Sequence, residues 1–378
     1  METSTADTSE IVFQSNGHPI RYSTPPFAVT IADKTEKIGD SICFILAVQK
    51  HGRPGSSPEE LHVKRFPDDF RNLDKRLRND TTENLPGVIA PRLSTKEISL
   101  VETVSDNNAR FMGEYAAERN MFQRYLDAVL NHPLISQSKI VEDFVTLSDF
   151  SGYANFKVSL AKRLTGAVDE IKTSNYVDPH AFFQNRKVWL MKYSGSVADF
   201  YNVFTLQNIC KKNLSAVMAV LSQMLNSNGH PKDPVSKLLG LSSDAIKQEE
   251  YGWHLAYWKG EVTLGIFLKH HIAQMDSFKD MMQQRTLILK ECDSMKKTAE
   301  KAKPPKKEAA AAALQEAEKL VDQCSNTGKE EIERLDETEV KGFRQALIDY
   351  AESQIQAAQE SYEILLEQIK RIQDWQPE

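Results

Sequence analysis

The chain has 378 residues, 40% hydrophobic and 26% charged, enough for two domains or for one compact and one elongated unit. With 47 Lys+Arg against 53 Asp+Glu the net charge is −6, so any attraction to nucleic acid or anionic lipid has to come from a local patch. No apolar run approaches the ~20 residues that span a bilayer, and METSTADTSEIVFQ has neither a basic nor an apolar signal region, which predicts a chain without transmembrane or secretory segments. Cys43, Cys210, Cys292 and Cys324 are scattered, with no CxxC pair and no Cys/His cluster, which argues against a disulfide framework or a zinc site and predicts a reduced, cytosolic protein.

In chain order, residues 1–24 are polar and aperiodic and read as a flexible arm. FAVTIAD, SICFILAVQK and ELHVKRF are three runs rich in β-branched and aromatic residues, separated by turn-prone stretches, and predict a small antiparallel meander. PDDFRNLDKRL reads as a short helix with Pro67 in its first turn, where the missing N–H costs nothing. After the loop ENLPGVIAPRL, a helix is predicted from about Arg110 to His132-Pro133. The first 147 or so residues are thus an α+β module.

Beyond Asp149 the pattern is helical throughout. ANFKVSLAKRLTGAVDEI gathers Phe156, Leu160 and Leu164 on one face with Lys162 and Arg163 outside it, as in a helix lying in a lipid interface or docked on a neighbouring domain. Three long apolar seams follow. One runs from Phe182 to Leu221, one from Leu255 to Cys292, and one from Leu314 to Ile372, the last including Phe343, Leu347 and Tyr350. At ~1.5 Å per residue, a segment of about 70 residues reaches roughly 100 Å. Three slender rods cannot bury such stripes alone, so dimerisation is expected, with Phe343, Leu347 and Tyr350 in the dimer seam.

No phosphate-binding loop, dinucleotide fingerprint, zinc-protease motif or nucleophile elbow is present, and the chain is read as non-enzymatic, without cofactor or metal. The neighbours His270 and His271 point about 100° apart on a helix and suit no shared ligand. The strongest charge signal is MKKTAEKAKPPKK, Met295 to Lys307. Lys296, Lys297, Lys301, Lys303, Lys306 and Lys307 oppose only Glu300, a net of +5 around a helix-breaking Pro304-Pro305. Such a hairpin apex is expected to contact anionic membrane at about 1 kcal/mol per lysine.

VKRFPDDFRNLDKRL after the third strand, GVIAPRLSTK as a proline loop and FQRYLDAVLNHPLI closing the last helix resemble a phox-homology (PX) domain. The three long helices resemble a Bin/amphiphysin/Rvs (BAR) domain, and EEIERLDETEVKGFRQALIDYAESQI is similar to the last-helix segment of endosomal sorting nexins. The resemblance covers about residues 27–376 and implies an α+β PX domain followed by an all-α, elongated three-helix BAR domain. The implied division is a flexible arm over 1–24, PX over 25–148, an amphipathic linker helix over 152–172 and BAR over 173–378.

Carried over residue by residue, the resemblance places lipid head-group contacts at Arg65 and Lys96. It also shows departures. The family's head-group Arg falls on Phe66, leaving Arg65 one position early and, by strand alternation, on the opposite face unless a bulge restores it. The Arg of the last helix falls on Glu118, which would repel phosphate. This pattern is similar to sorting nexins five and six and their fungal counterpart, whose PX sites are degenerate, although their long helical insertion is replaced here by STKEISLVETVSDNNARFMGEYAA.

The resemblance implies a peripheral protein on early endosome membranes, cytoplasmic in location, acting in retrograde cargo sorting and tubulation. Its partners would be a phosphoinositide-containing or anionic membrane, another sorting nexin or a second copy, retromer and transmembrane cargo tails, and no nucleic acid. The rival reading is a coiled-coil adaptor with a peptide-binding PX-like domain and no direct membrane contact.

Overall fold

The computed structural model describes residues 14–15, 18–19, 25–39, 41–50, 60–95, 115–150, 176–226 and 233–376. Within the expected N-terminal arm, Gln14–Ser15 (β1) and His18–Pro19 (β2) pair antiparallel as a minimal hairpin. Phe27–Ile38 (β3), Ser41–Lys50 (β4) and Glu60–Arg65 (β5) form the predicted antiparallel meander in the order β3-β4-β5. Phe27, Val29 and Ile31 alternate into the core, and the β3–β4 register shifts between Ile31 and Thr35, where a bulge bends the hairpin. The β4–β5 register is unbroken from Gln49 opposite Glu60 to Phe44 opposite Arg65.

Pro67–Asn84 (α1) begins with Pro at its first turn, and the Asp69 carboxylate accepts the Phe66 N–H at 2.8 Å. Ala116–Leu130 (α2) starts at Ala116, with Tyr115 before it in the left-handed region at φ 61°; the expected start near Arg110 lies outside the described residues. The Gln123 side chain of α2 donates to the Val29 carbonyl at 2.9 Å and accepts the Ile31 N–H at 2.8 Å, so it pairs with the open edge of β3 as a strand residue would. Lys139–Thr146 (α3) closes the unit. Its core is aromatic: Phe70 stacks on Phe122 at 4.1 Å between centroids, with Phe44, Phe144 and Phe150 edge-on around them.

Three long helices follow. Ala181–Asn226 (α4) has 46 residues. Pro234–Gly260 (α5), capped by Asp233, runs through a π-helical turn at Glu261–Gly265 into Ile266–Lys301 (α6) as one rod. Pro304–Asp374 (α7) has 71 residues, a length of about 105 Å. On α4, Phe183, Leu190, Val197 and Phe204 are buried at steps of seven, the period of a coiled-coil seam. Beyond Phe204 the buried stripe turns polar, with Asn208, Ser215 and Ser222. Asn208 donates to Glu261 at 3.0 Å, and Lys269 lies 3.4 Å from the same carboxylate, all three buried at the π-turn. Ser222 and Ser243 donate to each other's backbone carbonyls at 3.0 and 2.8 Å, an approach that only small side chains permit.

The α+β unit docks on the middle of the rod. Gly87, at φ +91°, lies so close to α7 that an added Cβ would stand 2.5 Å from the Cys324 carbonyl oxygen. Beside it the Glu331 carboxylate accepts the Ile89 N–H at 3.1 Å, His132 Nε2 at 3.0 Å and Arg334 Nη2 at 2.9 Å. His132 Nδ1 accepts the backbone N–H groups of Leu134 and Ile135, so the proton is on Nε2 and the ring is neutral. Burial lowers the His132 pKa. Burial alone would push Glu331 up, but the His132 hydrogen bond and the charge of Arg334 outweigh it and hold the carboxyl below its ordinary range.

Glu331→Ala should leave the Ile89 and His132 donors buried without acceptors and cost about 3 kcal/mol, read by urea denaturation and by faster amide exchange at Ile89. Because the folded pKa lies below the ordinary 4.5, the carboxylate's contribution is complete above that pH and is lost as pH falls below it. His132, neutral when docked, adds an earlier loss as pH falls below its ordinary 6.5.

Candidate functional site

Arg65 corrects the sequence expectation. With no bulge in the β4–β5 pairing, Val63 and Arg65 face inward, while Lys64 points out and pairs with Glu36 at 2.7 Å. The Arg65 side chain is fully buried and unreachable by a head group. Its Nε donates to the Phe144 carbonyl at 2.9 Å, Nη2 to the carbonyls of Phe144 and Leu147, and Nη1 to that of Lys64. The guanidinium also lies 5.2 and 5.7 Å from the ring centres of Phe144 and Phe150. It therefore caps the negative C-terminal end of α3. Phe66 is the N-cap of α1, and Glu118 is half-buried in the first turn of α2, where burial raises its pKa. Lys96 and the linker-helix residues Phe156, Leu160, Lys162, Arg163 and Leu164 lie outside the described residues.

The basic apex has a defined shape. Lys296, Lys297 and Lys301 end α6, Lys303 precedes α7, and Lys306 and Lys307 lie in its first turn; all six are exposed. Only Lys296 has a carboxylate within ion-pairing reach among the described residues, Glu318 at 3.9 Å. Lys297, Lys301, Lys303 and Lys306 rim a hollow floored by Ala302, Pro305 and Ala309. Cations at the end of α6 complement its dipole, but those at the start of α7 oppose its dipole by roughly 0.3–1 kcal/mol each. Solubilising a helix end does not explain that second set.

The apolar surface is the third feature. Where the inner stripe of α4 turns polar, its outer face carries Val217, Val220, Leu221 and Met224, 41–63% exposed. Val235 and Leu238 on α5 and Ile355, Tyr362, Leu366 and Ile369 on α7 are exposed as well. The expected seam residues divide. Phe343 packs on Phe267 at 5.3 Å and Phe200 at 6.2 Å within its own chain, and Tyr350 packs on Phe204 at 5.7 Å, so both serve the three-helix packing first. Leu347 is 42% exposed beside Val340 and Ile348. The outer stripe on α4 was within reach of sequence reasoning: its apolar residues number too many for one face of one helix.

His271 bonds Tyr193 at 2.9 Å and Glu339 at 3.0 Å, and no group of His, Cys, Asp and Glu among the described residues could hold a metal ion. No helix among the described residues is long and apolar enough to cross a membrane.

Residues 53–148 match the family model of the PX domain. Over 319 residues the chain is 23% identical to Sorting nexin-30 of Mus musculus, covering 79% of this chain and 66% of that protein, just under two thirds of its length. The cryo-EM structure of the SNX-BAR Mvp1 tetramer aligns over 90% of this chain and 99% of that chain at 15% identity, with a TM-score of 0.42.

Arg65→Ala should destabilise the chain by about 2–4 kcal/mol, because it strips donors from the Phe144 and Leu147 carbonyls. Urea denaturation of the full chain reads this; a head-group residue on the surface would leave the midpoint unchanged.

Proposed function

We propose that this chain is a PX-BAR sorting nexin: a non-enzymatic, peripheral membrane protein whose α+β unit is the PX domain and whose three-helix rod is a BAR domain that works as a dimer. The supporting observation is the inversion of polarity along α4. Asn208, Ser215 and Ser222 face inward while Val217, Val220, Leu221 and Met224 face out, the reverse of what a monomer in water stabilises. A second helical rod, from a copy of this chain or from another sorting nexin, covers that face. The dimer then presents two basic apices to an anionic bilayer, each strengthening the other by raising the local concentration of the second contact.

With Arg65 spent on α3 and Phe66 at a helix cap, the PX unit has lost the planar fork that grips one phosphate, and the rod carries most of the affinity. In this reading the chain works at early endosomes through its partner and its BAR apices, in tubulation and retrograde sorting with retromer and cargo tails. The same burial of Arg65 favours the adaptor reading for the α+β unit taken alone.

Sedimentation of the full chain at micromolar concentration, alone and mixed with candidate nexins, is expected to show dimers. Val217→Glu with Leu221→Glu should yield helical monomers, since each would bury an unpaired charge at the interface. A wild-type chain that stays monomeric in every mixture counts against the proposal. Changing Lys303, Lys306 and Lys307 to Glu should weaken binding to phosphatidylserine vesicles and flatten its salt dependence while the dimer persists. Equal vesicle binding at low salt would assign the membrane contact elsewhere.

A further inference from the structure

Between α2 and the rod lies an open cleft of about 530 Å³ that the membrane reading does not use. One wall is the face of α2 that carries Asn120, Arg124 and Asn131; the other holds Val262, Ile266 and Phe267 with His270 beside them. The Arg124 guanidinium sits 5.4 Å from the Phe267 ring centre. Among the described residues it makes no hydrogen bond or ion pair. Asp127 and Asp349 favour its charge from a distance, and burial, the larger effect, lowers its pKa.

The carboxylates of the cleft are already engaged: Asp127 accepts from Gln123 at 2.8 Å and Glu339 is held by His271 at 3.0 Å. Asn120 and His270 line the same space with no hydrogen-bond partner among the described residues. His270 is neutral, its pKa pushed down to about 3 by burial and by the charge of Arg124.

A planar guanidinium with no hydrogen-bonded partner takes a carboxylate through two parallel hydrogen bonds. Asn120 and the neutral His270 offer a donor and an acceptor suited to a peptide backbone, and the aliphatic and aromatic wall suits an apolar side chain. From Asn120 to Asn131 the helix runs about 16 Å, the length of roughly five extended residues. Asp127 and Glu339 at the edge disfavour a polyanionic head group but tolerate a single carboxylate between neutral residues. We propose that this cleft binds an extended acidic peptide of a partner protein, one carboxylate seated on Arg124 and a neighbouring apolar side chain on Phe267. The inference stands on the docking of the α+β unit to the rod and not on membrane binding.

The test uses the full chain against an array of immobilised pentapeptides with a central glutamate and apolar residues two positions either side, each matched by its glutamine counterpart. A subset should bind wild type, with the glutamine counterparts about tenfold weaker or more. Arg124→Gln should lose that preference and Arg124→Lys should keep part of it. Asn120→Asp, nearly isosteric, should also weaken binding by placing a like charge against the peptide, and amide-exchange protection of α2 checks that each variant remains docked. The proposal is overturned if no glutamate peptide separates wild type from Arg124→Gln, if Asn120→Asp binds as wild type does, or if Arg124→Gln lowers binding to phosphatidylserine vesicles in place of peptides.

Discussion

A carboxylate buried where two structural units meet is stable only when donors from both sides surround it, and Glu331 is in that position. It comes from α7, takes a backbone N–H from the proline loop and an imidazole N–H from the end of α2, and is flanked by Arg334 of its own helix. Removing one partner while the units stay docked would leave the other as a buried, unpaired polar group. The contact of Gly87 with the backbone of α7 then sets the distance between the units, because no side chain fits between them. The cleft beside Arg124 and the placement of the α+β unit along the rod both follow from that junction.

The rod shows two features that act against the stability of an isolated chain. One is the stretch in which the inner seam of α4 is polar and the outer face apolar; the other is the set of lysines placed against the dipole at the start of α7. The polar seam is hydrogen-bonded within the chain, but the outer apolar face stays exposed and those lysines have no carboxylate within ion-pairing reach among the described residues. In the dimer proposed above another helical surface covers the first, and an anionic membrane would neutralise the second. The Arg285–Asp178 ion pair, with Nε 2.7 Å from Oδ2 and the guanidinium 3.7 Å from the Phe183 ring, fixes the start of α4.

The α+β unit illustrates how the same residue type serves structure or recognition according to one step of register. Lys64 and Arg65 are adjacent cations on β5. Lys64 meets solvent and Glu36, whereas Arg65 is enclosed by aromatic rings and helix-end carbonyls. Its guanidinium commits four of its five N–H donors to acceptors that water cannot reach, and its full burial keeps the fifth from a phosphate.

Periodicity by itself determined the three-stranded meander, the helix opened by Pro67, the break at Pro304-Pro305 and the three long helices, because alternation, seven-residue steps and proline stereochemistry act over a few neighbouring residues. Which partner an apolar stripe meets was not legible in the same way. Phe343 and Leu347 sit one turn apart on α7 and share its period, yet the first turns to Phe267 of its own chain and the second to the outside, a choice made by helix packing and not by spacing. Arg65 lay open between two faces until the unbroken β4–β5 register turned it inward. Glu331 carried no local signal at all: within an acidic helical segment it reads as a solvated charge, and only the arrival of His132, 199 residues away in sequence, made it the junction between the two units. The balance of burial and hydrogen bonding that decides such a group is set by atoms distant along the chain, which is why tertiary structure alone could assign it.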